Sequence, residues 1–241
     1  MTAAPGLHLS GTARIGGTAV FGPLSLEAPA AQWTCLLGPS GAGKSTILRL
    51  FAGLAEGVAL EGRAAASDGA PLAGRVALMA QDDLLMPWLS ALDNVTLGTR
   101  LRGRAPDREK ARTVLSRVGL DGHASKRPAA LSGGQRQRVA LARTLMEERP
   151  VVLLDEPFSA LDARTRARMQ ELSADLLRGR TVLHVTHDPA EAARLGQRVL
   201  ILTRAGLCAI EPPESAPPRP VDAPETLELQ GALHRQLMAA P

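Results

Sequence analysis

The segment Gly38-Pro39-Ser40-Gly41-Ala42-Gly43-Lys44-Ser45 fits the pattern GxxxxGK followed by Ser or Thr. It lies between an apolar run, Thr34 to Leu37, and an amphipathic stretch, Ser45 to Ala52, that stops at Gly53. A strand, a glycine-rich turn and a helix in that order constrain the chain to an α/β layer with the turn at a strand's carboxyl end. The glycines let backbone N–H groups wrap phosphates without side-chain collision, the helix amino terminus adds partial positive charge, and Lys44 adds a full one. Ser45 stands where its hydroxyl can ligate Mg2+, and Thr46 follows it in the same turn.

Other short apolar runs recur along the chain: Val76 to Met79, Val151 to Leu154, Thr181 to Val185 and Val199 to Leu202. Near-continuous runs of this length suit strands buried on both faces of a parallel sheet. Between them, Arg108 to Val118 places Ala111, Val114, Leu115 and Val118 at helical spacing before Gly119. The expected core is therefore doubly wound. From about Ala91 to Lys126 no strand-like run occurs, and Gly and Pro breaks separate helical patterns, so a helical subdomain is expected at about 88–145. Residues 1–210 would form one catalytic domain. Residues 211–241 begin Pro-rich, as an extended linker would, and end in a short helix from Glu225 to Met238 with Leu229, Leu233 and Leu237 spaced by four.

With 241 residues, 45% apolar and 22% charged, the chain reads as one ordinary globular domain with a small annex. Its apolar runs are far shorter than the ~20 residues of a spanning helix, and its amino terminus lacks the pattern of a secretory signal, so a cytosolic location is expected. Cys35 and Cys208 have no partner at metal-ligand spacing. The net charge of +4 is spread among acids rather than gathered in a block, which argues against nucleic acid as a partner.

Val151 to Leu154 runs into Asp155 and Glu156. This is how a phosphate-loop hydrolase brings one carboxylate, Asp155, to magnesium and sets a second, Glu156, to polarise an attacking water as general base. Leu131-Ser132-Gly133-Gly134-Gln135 then precedes the helical run Arg136 to Leu145, so that Ser132 can cap a helix whose first N–H groups two glycines expose to an anion. LSGGQ, placed between the phosphate loop and the acid pair, resembles the signature of the ATP-binding cassette (ABC) ATPases.

The resemblance covers about Leu7 to Arg204 and implies more. Gln81, after Val76 to Ala80, resembles the Q-loop glutamine that senses Mg2+ and links the site to a permease. Ser159-Ala160-Leu161-Asp162 resembles the D-loop, which would put Asp162 at a dimer interface. His187 resembles the switch histidine that contacts the γ-phosphate. The implied fold is a P-loop NTPase core of parallel sheet and flanking helices, with an antiparallel β amino-terminal part and an inserted helical subdomain. The implied cofactors are ATP and Mg2+, bound between the Lys44 loop of one protomer and the Ser132 to Gln135 signature of the other in a head-to-tail homodimer. Such ATPases usually carry an adenine-stacking aromatic 29 positions before the loop lysine, where this chain has Ile15.

The segment Gln81-Asp82-Asp83-Leu84-Leu85-Met86-Pro87-Trp88 resembles the bacterial importer branch that serves nitrate, sulfonates, taurine and the hydroxymethylpyrimidine precursor of thiamine, with overall likeness leaning to the last. The resemblance implies a place on the cytoplasmic face of the inner membrane, with a periplasmic solute-binding protein acting indirectly. It also makes Leu85, Met86 and Trp88 the socket for the membrane permease, against a second reading in which they only pack the helical subdomain. A non-transport ABC ATPase acting on nucleic acid or ribosomes is the other functional class. Its DNA-associated types commonly carry long coiled-coil or zinc insertions and its ribosomal types two cassettes, and this sequence shows neither.

Overall fold

A computed structural model of the chain describes residues 3–239. In chain order the elements are β1 (Leu7–Ile15), β2 (Thr18–Ala28), β3 (Trp33–Leu37), α1 (Lys44–Ala52), β4 (Val58–Ala66), β5 (Val76–Met79), α2 (Ala91–Val95), α3 (Leu97–Leu101) and α4 (Arg108–Arg117). There follow α5 (Gly133–Met146), β6 (Val151–Asp155), α6 (Ala163–Leu176), β7 (Thr181–Val185), α7 (Pro189–Leu195), β8 (Arg198–Thr203), β9 (Gly206–Ile210) and α8 (Pro224–Ala239).

They gather into two compact units. The first holds the chain up to Leu78, Arg149–Glu156, and everything from Arg178 onward. Its main sheet has the order β5-β6-β7-β3-β8-β9. Strands β6, β7, β3 and β8 are parallel, and β9 returns antiparallel to β8. Every residue of β3, β6 and β7 is buried, which is why those strands read as near-continuous apolar runs. A second, antiparallel sheet has the order β2-β1-β4, with Leu7 opposite both Ala28 and Ala66. Ile47, Leu48 and Phe51 of α1 share one core with Leu7, Leu9 and Leu26 of that sheet and with Val151, Leu153 and Leu183 of the main sheet. Burying each such side chain contributes about 1.5–3 kcal/mol, so this core fixes α1, and with it the loop ahead of α1.

The second unit consists of Met79–Glu148 and Pro157–Leu177. It is wider than the stretch 88–145 expected from sequence, because α6 belongs to it although β6 separates α6 from the other helices. Val139, Leu141 and Leu145 of α5 are buried, as are Leu92 of α2 and Leu115 of α4.

The Pro-rich stretch after Ile210 is not a free tether. Arg219 is only 1% exposed, and its guanidinium Nη1 donates to the carbonyls of Ala193 and Gly196, each at 2.9 Å, and its Nη2 to that of Pro213 at 2.8 Å. Helix α8 then packs against α7 and buries Leu229 and Leu233, the spacing of four read in the sequence.

Candidate functional site

In the first unit the loop 38–43 turns sharply from β3 into α1. A Cβ on Gly38 would stand 2.3 Å from the carbonyl oxygen of Leu202, so the loop can lie over the end of β8 only without a side chain there. Gly43, at φ 95°, occupies the left-handed region, and a Cβ on it would meet Val20 and Phe21 at 3.0 Å. Pro39, Ser40, Gly41 and Ala42 complete the loop, and Lys44, Ser45 and Thr46 open α1. The Lys44 ammonium reaches back to donate to the carbonyls of Gly38 at 2.6 Å and Pro39 at 2.8 Å. Burial pulls its pKa below the ordinary lysine value, opposed by the nearby charges of Glu156 and Asp155.

Asp155 ends β6 and is 7% exposed. Burial pushes its carboxyl above the usual range, and a hydrogen bond from Ser45 draws it partly back. A buried carboxylate beside a hydroxyl gains from a hard cation, and one carboxylate, one hydroxyl and substrate phosphates form an oxygen set that suits Mg2+.

Glu156 has a left-handed backbone, φ 49°, rare for a residue with a side chain and typical of places where a fold positions a reacting group. Its N–H donates to the carbonyl of Val185 at 2.9 Å, which holds the turn against the end of β7. From the residue pair after β7, His187 brings Nδ1 to 3.1 Å from Glu156 Oε1. Lys44, Ser45, Asp155, Glu156 and His187 thus come together.

Ile15 is 49% exposed at the end of β1, opposite Thr18 and Val58. A groove of about 620 Å³ runs beside the phosphate loop, lined by Ala19 to Gly22, Pro39 to Ala42, Thr203 and Arg204, and Ile15 is not among its lining residues. Sequence reading placed Phe21, the nearest aromatic to Ile15, only in the following strand, and it did not find Val20 or Arg204. Their only signal was proximity in the fold to a loop already identified. Ile15 offers no π-face, and base–aromatic stacking is worth ~1–3 kcal/mol in nucleic-acid sites. Ile15→Tyr is therefore expected to tighten ATP binding and improve discrimination from GTP, measured by nucleotide titration. Equal affinities would assign the base contact to the groove residues.

In the second unit, Ser132 and Gln135 form a capping box at the start of α5. The Ser132 N–H donates to Gln135 Oε1 at 2.9 Å and the Gln135 N–H to Ser132 Oγ at 3.3 Å. Gly133 and Gly134 are the first helical residues, so their N–H groups stand at the positive end of the helix. Gln137, one turn into α5, accepts the Ala160 N–H at 3.0 Å and donates to Ser159 Oγ at 3.2 Å, tying the signature helix to the 159–162 turn. Asp162 caps α6, its carboxylate held below the usual range by the Thr165 N–H. Gln81 is exposed just after β5. In the segment that follows, Asn94 accepts the Met86 N–H at 2.8 Å and donates to the carbonyls of Met86, Leu89 and Ser90. Arg143 donates to the carbonyls of Asp83 and Leu84. So held, the segment buries Leu85 and turns out Trp88, which is 67% exposed.

The fold and the Lys44–Asp155–Glu156–His187 constellation define a P-loop nucleotide hydrolase. The profile of the ABC transporter family matches residues 21–159, more than half of the chain. An ABC transporter ATP-binding protein of Haemophilus influenzae is 43% identical over 228 residues, covering 92% of this chain and 93% of that one. The aliphatic sulfonates import ATP-binding protein SsuB 2 of Pseudomonas aeruginosa is 43% identical over 241 residues, 98% of this chain and 85% of its own. Among solved structures, a dimeric ATP-binding cassette in a post-hydrolysis state with ADP and Pi superposes with a TM-score of 0.76 at 29% identity, covering 87% of this chain and all of that one. The chain belongs to the ABC transporter family, as an ATP-binding subunit that uses Mg2+ and ATP.

Proposed function

We propose that the chain is the ATP-hydrolysing subunit of an importer for a small organic anion of the sulfonate kind, working as a homodimer under a separate permease. The observation that carries the ATPase reading is the 3.1 Å approach of His187 to Glu156 beside the Lys44 loop and Asp155. In this reading the glycine-rich loop and Lys44 bind the phosphates, Glu156 takes a proton from water, and His187 contacts the γ-phosphate while orienting Glu156. Mg2+, when bound, neutralises charge developing on the phosphate oxygens, and Ser45 and Asp155 are the residues that would hold it. Gly133, Gly134 and the capped start of α5 supply the anion-binding helix end that meets the partner subunit's nucleotide, with Asp162 nearby at the interface.

The importer reading draws on relatives named for aliphatic sulfonates, which favour a sulfonate over the pyrimidine precursor suggested by overall likeness. In this reading the segment after Gln81 receives the permease at the cytoplasmic face of the membrane, and a periplasmic binding protein delivers solute to that permease. Proteoliposomes containing this subunit and the permease encoded beside it, with the binding protein outside, are expected to accumulate labelled ethanesulfonate only with internal ATP. ATP hydrolysis without ethanesulfonate uptake, together with uptake of hydroxymethylpyrimidine, would overturn the cargo and leave the ATPase standing.

A further inference from the structure

Strand β7 and helix α7 are joined by Thr186, His187 and Asp188, and this short turn is fixed from beneath. Thr186 is 2% exposed. Its hydroxyl donates to Glu191 Oε2 at 2.8 Å and accepts the Asp188 N–H at 3.0 Å. Asp188 in turn accepts the Ala190 N–H at 2.9 Å and caps α7. Glu191, 3% exposed, keeps Oε2 3.4 Å from Nε2 of His184, which is wholly buried in β7. The Trp33 indole N–H donates to His184 Nδ1 at 3.3 Å, which leaves the proton of a neutral imidazole on Nε2, facing Glu191. At the other end of α7, Arg219 holds the carbonyls of Ala193 and Gly196.

Fully buried glutamates are rare unless partnered, and burying one takes several kcal/mol of desolvation that only specific contacts offset. Glu191 takes no part in the hydrolytic steps described above. Its contacts run to the residue before His187. The His187 side chain itself is 61% exposed, and its backbone lies in the 186–188 turn.

We propose that Thr186 and Glu191 are positioning residues for His187: the hydrogen bond between them sets the turn, and the turn sets the approach of the imidazole to Glu156. The inference rests on the reading of His187 as the group at the γ-phosphate. Without the Thr186 hydroxyl, Glu191 loses a donor and the Asp188 N–H loses its acceptor, so the turn relaxes. Nucleotide binding would be spared, because the phosphate loop is held by β3, α1 and β8 rather than by this turn.

Four full-length proteins test it: wild type, Thr186→Val, Thr186→Ser and His187→Ala. Thr186→Val keeps the shape and removes the hydroxyl. A misplacement near 1 Å can lower rates about a hundredfold, so kcat of Thr186→Val is expected to fall by about tenfold to a hundredfold with KM for ATP little changed. Thr186→Ser, which restores the hydroxyl, is expected to regain most of the rate. A Thr186→Val protein as active as Thr186→Ser, or one that loses ATP affinity in step with rate, would overturn the positioning role. If His187→Ala turns over normally, the reading of His187 itself fails. If His187→Ala is impaired while Thr186→Val is not, only the positioning role fails. Should Thr186→Val not fold, Glu191→Met, which removes the acceptor at similar size, is expected to lower kcat with KM for ATP little changed, and a kcat equal to wild type would overturn the proposal. Glu191→Gln serves as its conservative control. Its amide oxygen can still accept from Thr186, so wild-type kcat in this variant would support the hydrogen bond rather than the charge as what sets the turn, and a loss of ATP affinity in step with rate would count against the proposal.

Discussion

Glu156→Gln is expected to leave ATP binding intact and to lower kcat by about a hundredfold to ten-thousandfold, the usual contribution of a general base. The side chains are near-isosteric, and the backbone of Glu156 is held independently by the bond of its N–H to Val185. Lys44, Ser45 and Asp155 make their contacts without the Glu156 carboxylate as a hydrogen-bond partner, so the phosphate cradle persists. An amide cannot accept the proton of an attacking water. With ATP bound and not cleaved, the protein is expected to accumulate as a dimer on gel filtration in the presence of ATP, while steady-state phosphate release falls away. Near-normal release would remove Glu156 from the role.

Trp88→Ala is expected to weaken assembly with the permease about thirtyfold or more while the isolated subunit folds and binds nucleotide as before. Because the indole is 67% exposed, its removal takes away little intramolecular packing. The loop that presents it keeps its fastenings to Asn94 and Arg143. Leu84, 57% exposed, is a second exposed apolar side chain on the same segment. Truncation of a central tryptophan anchor commonly removes 2 kcal/mol or more of binding energy, about a thirtyfold rise in Kd. Titration of permease in lipid nanodiscs with each protein measures it, and an unchanged Kd would leave Trp88 without a docking role.

The central strands were legible because burial on both faces makes β3, β6 and β7 near-continuous apolar runs, and the phosphate loop because its glycines answer a local steric demand. Strand β4, Val-Ala-Leu-Glu-Gly-Arg-Ala-Ala-Ala, was not legible from its residues. It is mostly exposed or half-buried and carries a glycine, Gly62, where Ser10 and Gly11 of β1 pass too close for a side chain. The acid pair and the histidine each stood in a recognisable motif, yet Thr186 and Glu191 looked like ordinary loop and first-turn residues. Their meaning lies in a buried bond that no periodicity announces. Arg219 was hidden for the same reason: three of its guanidinium bonds go to backbone carbonyls, which leave no trace in side-chain composition. The extent of the helical unit escaped as well, since α6 joins it through packing rather than through sequence adjacency.

The seating of Arg219 makes the last thirty or so residues less dispensable than their prolines suggest. Shortening the protein after Ile210 would leave the Ala193 and Gly196 carbonyls facing a hole instead of a guanidinium, and would strip from α7 the cover that Leu229 and Leu233 provide. A freshly uncovered apolar strip beside unpaired carbonyls invites self-association, so trimmed versions made for crystallisation would be prone to precipitate. Grafting the tail of a paralogue would meet the same demand. It would succeed only where the incoming segment brings an arginine at the matching distance from its own closing helix.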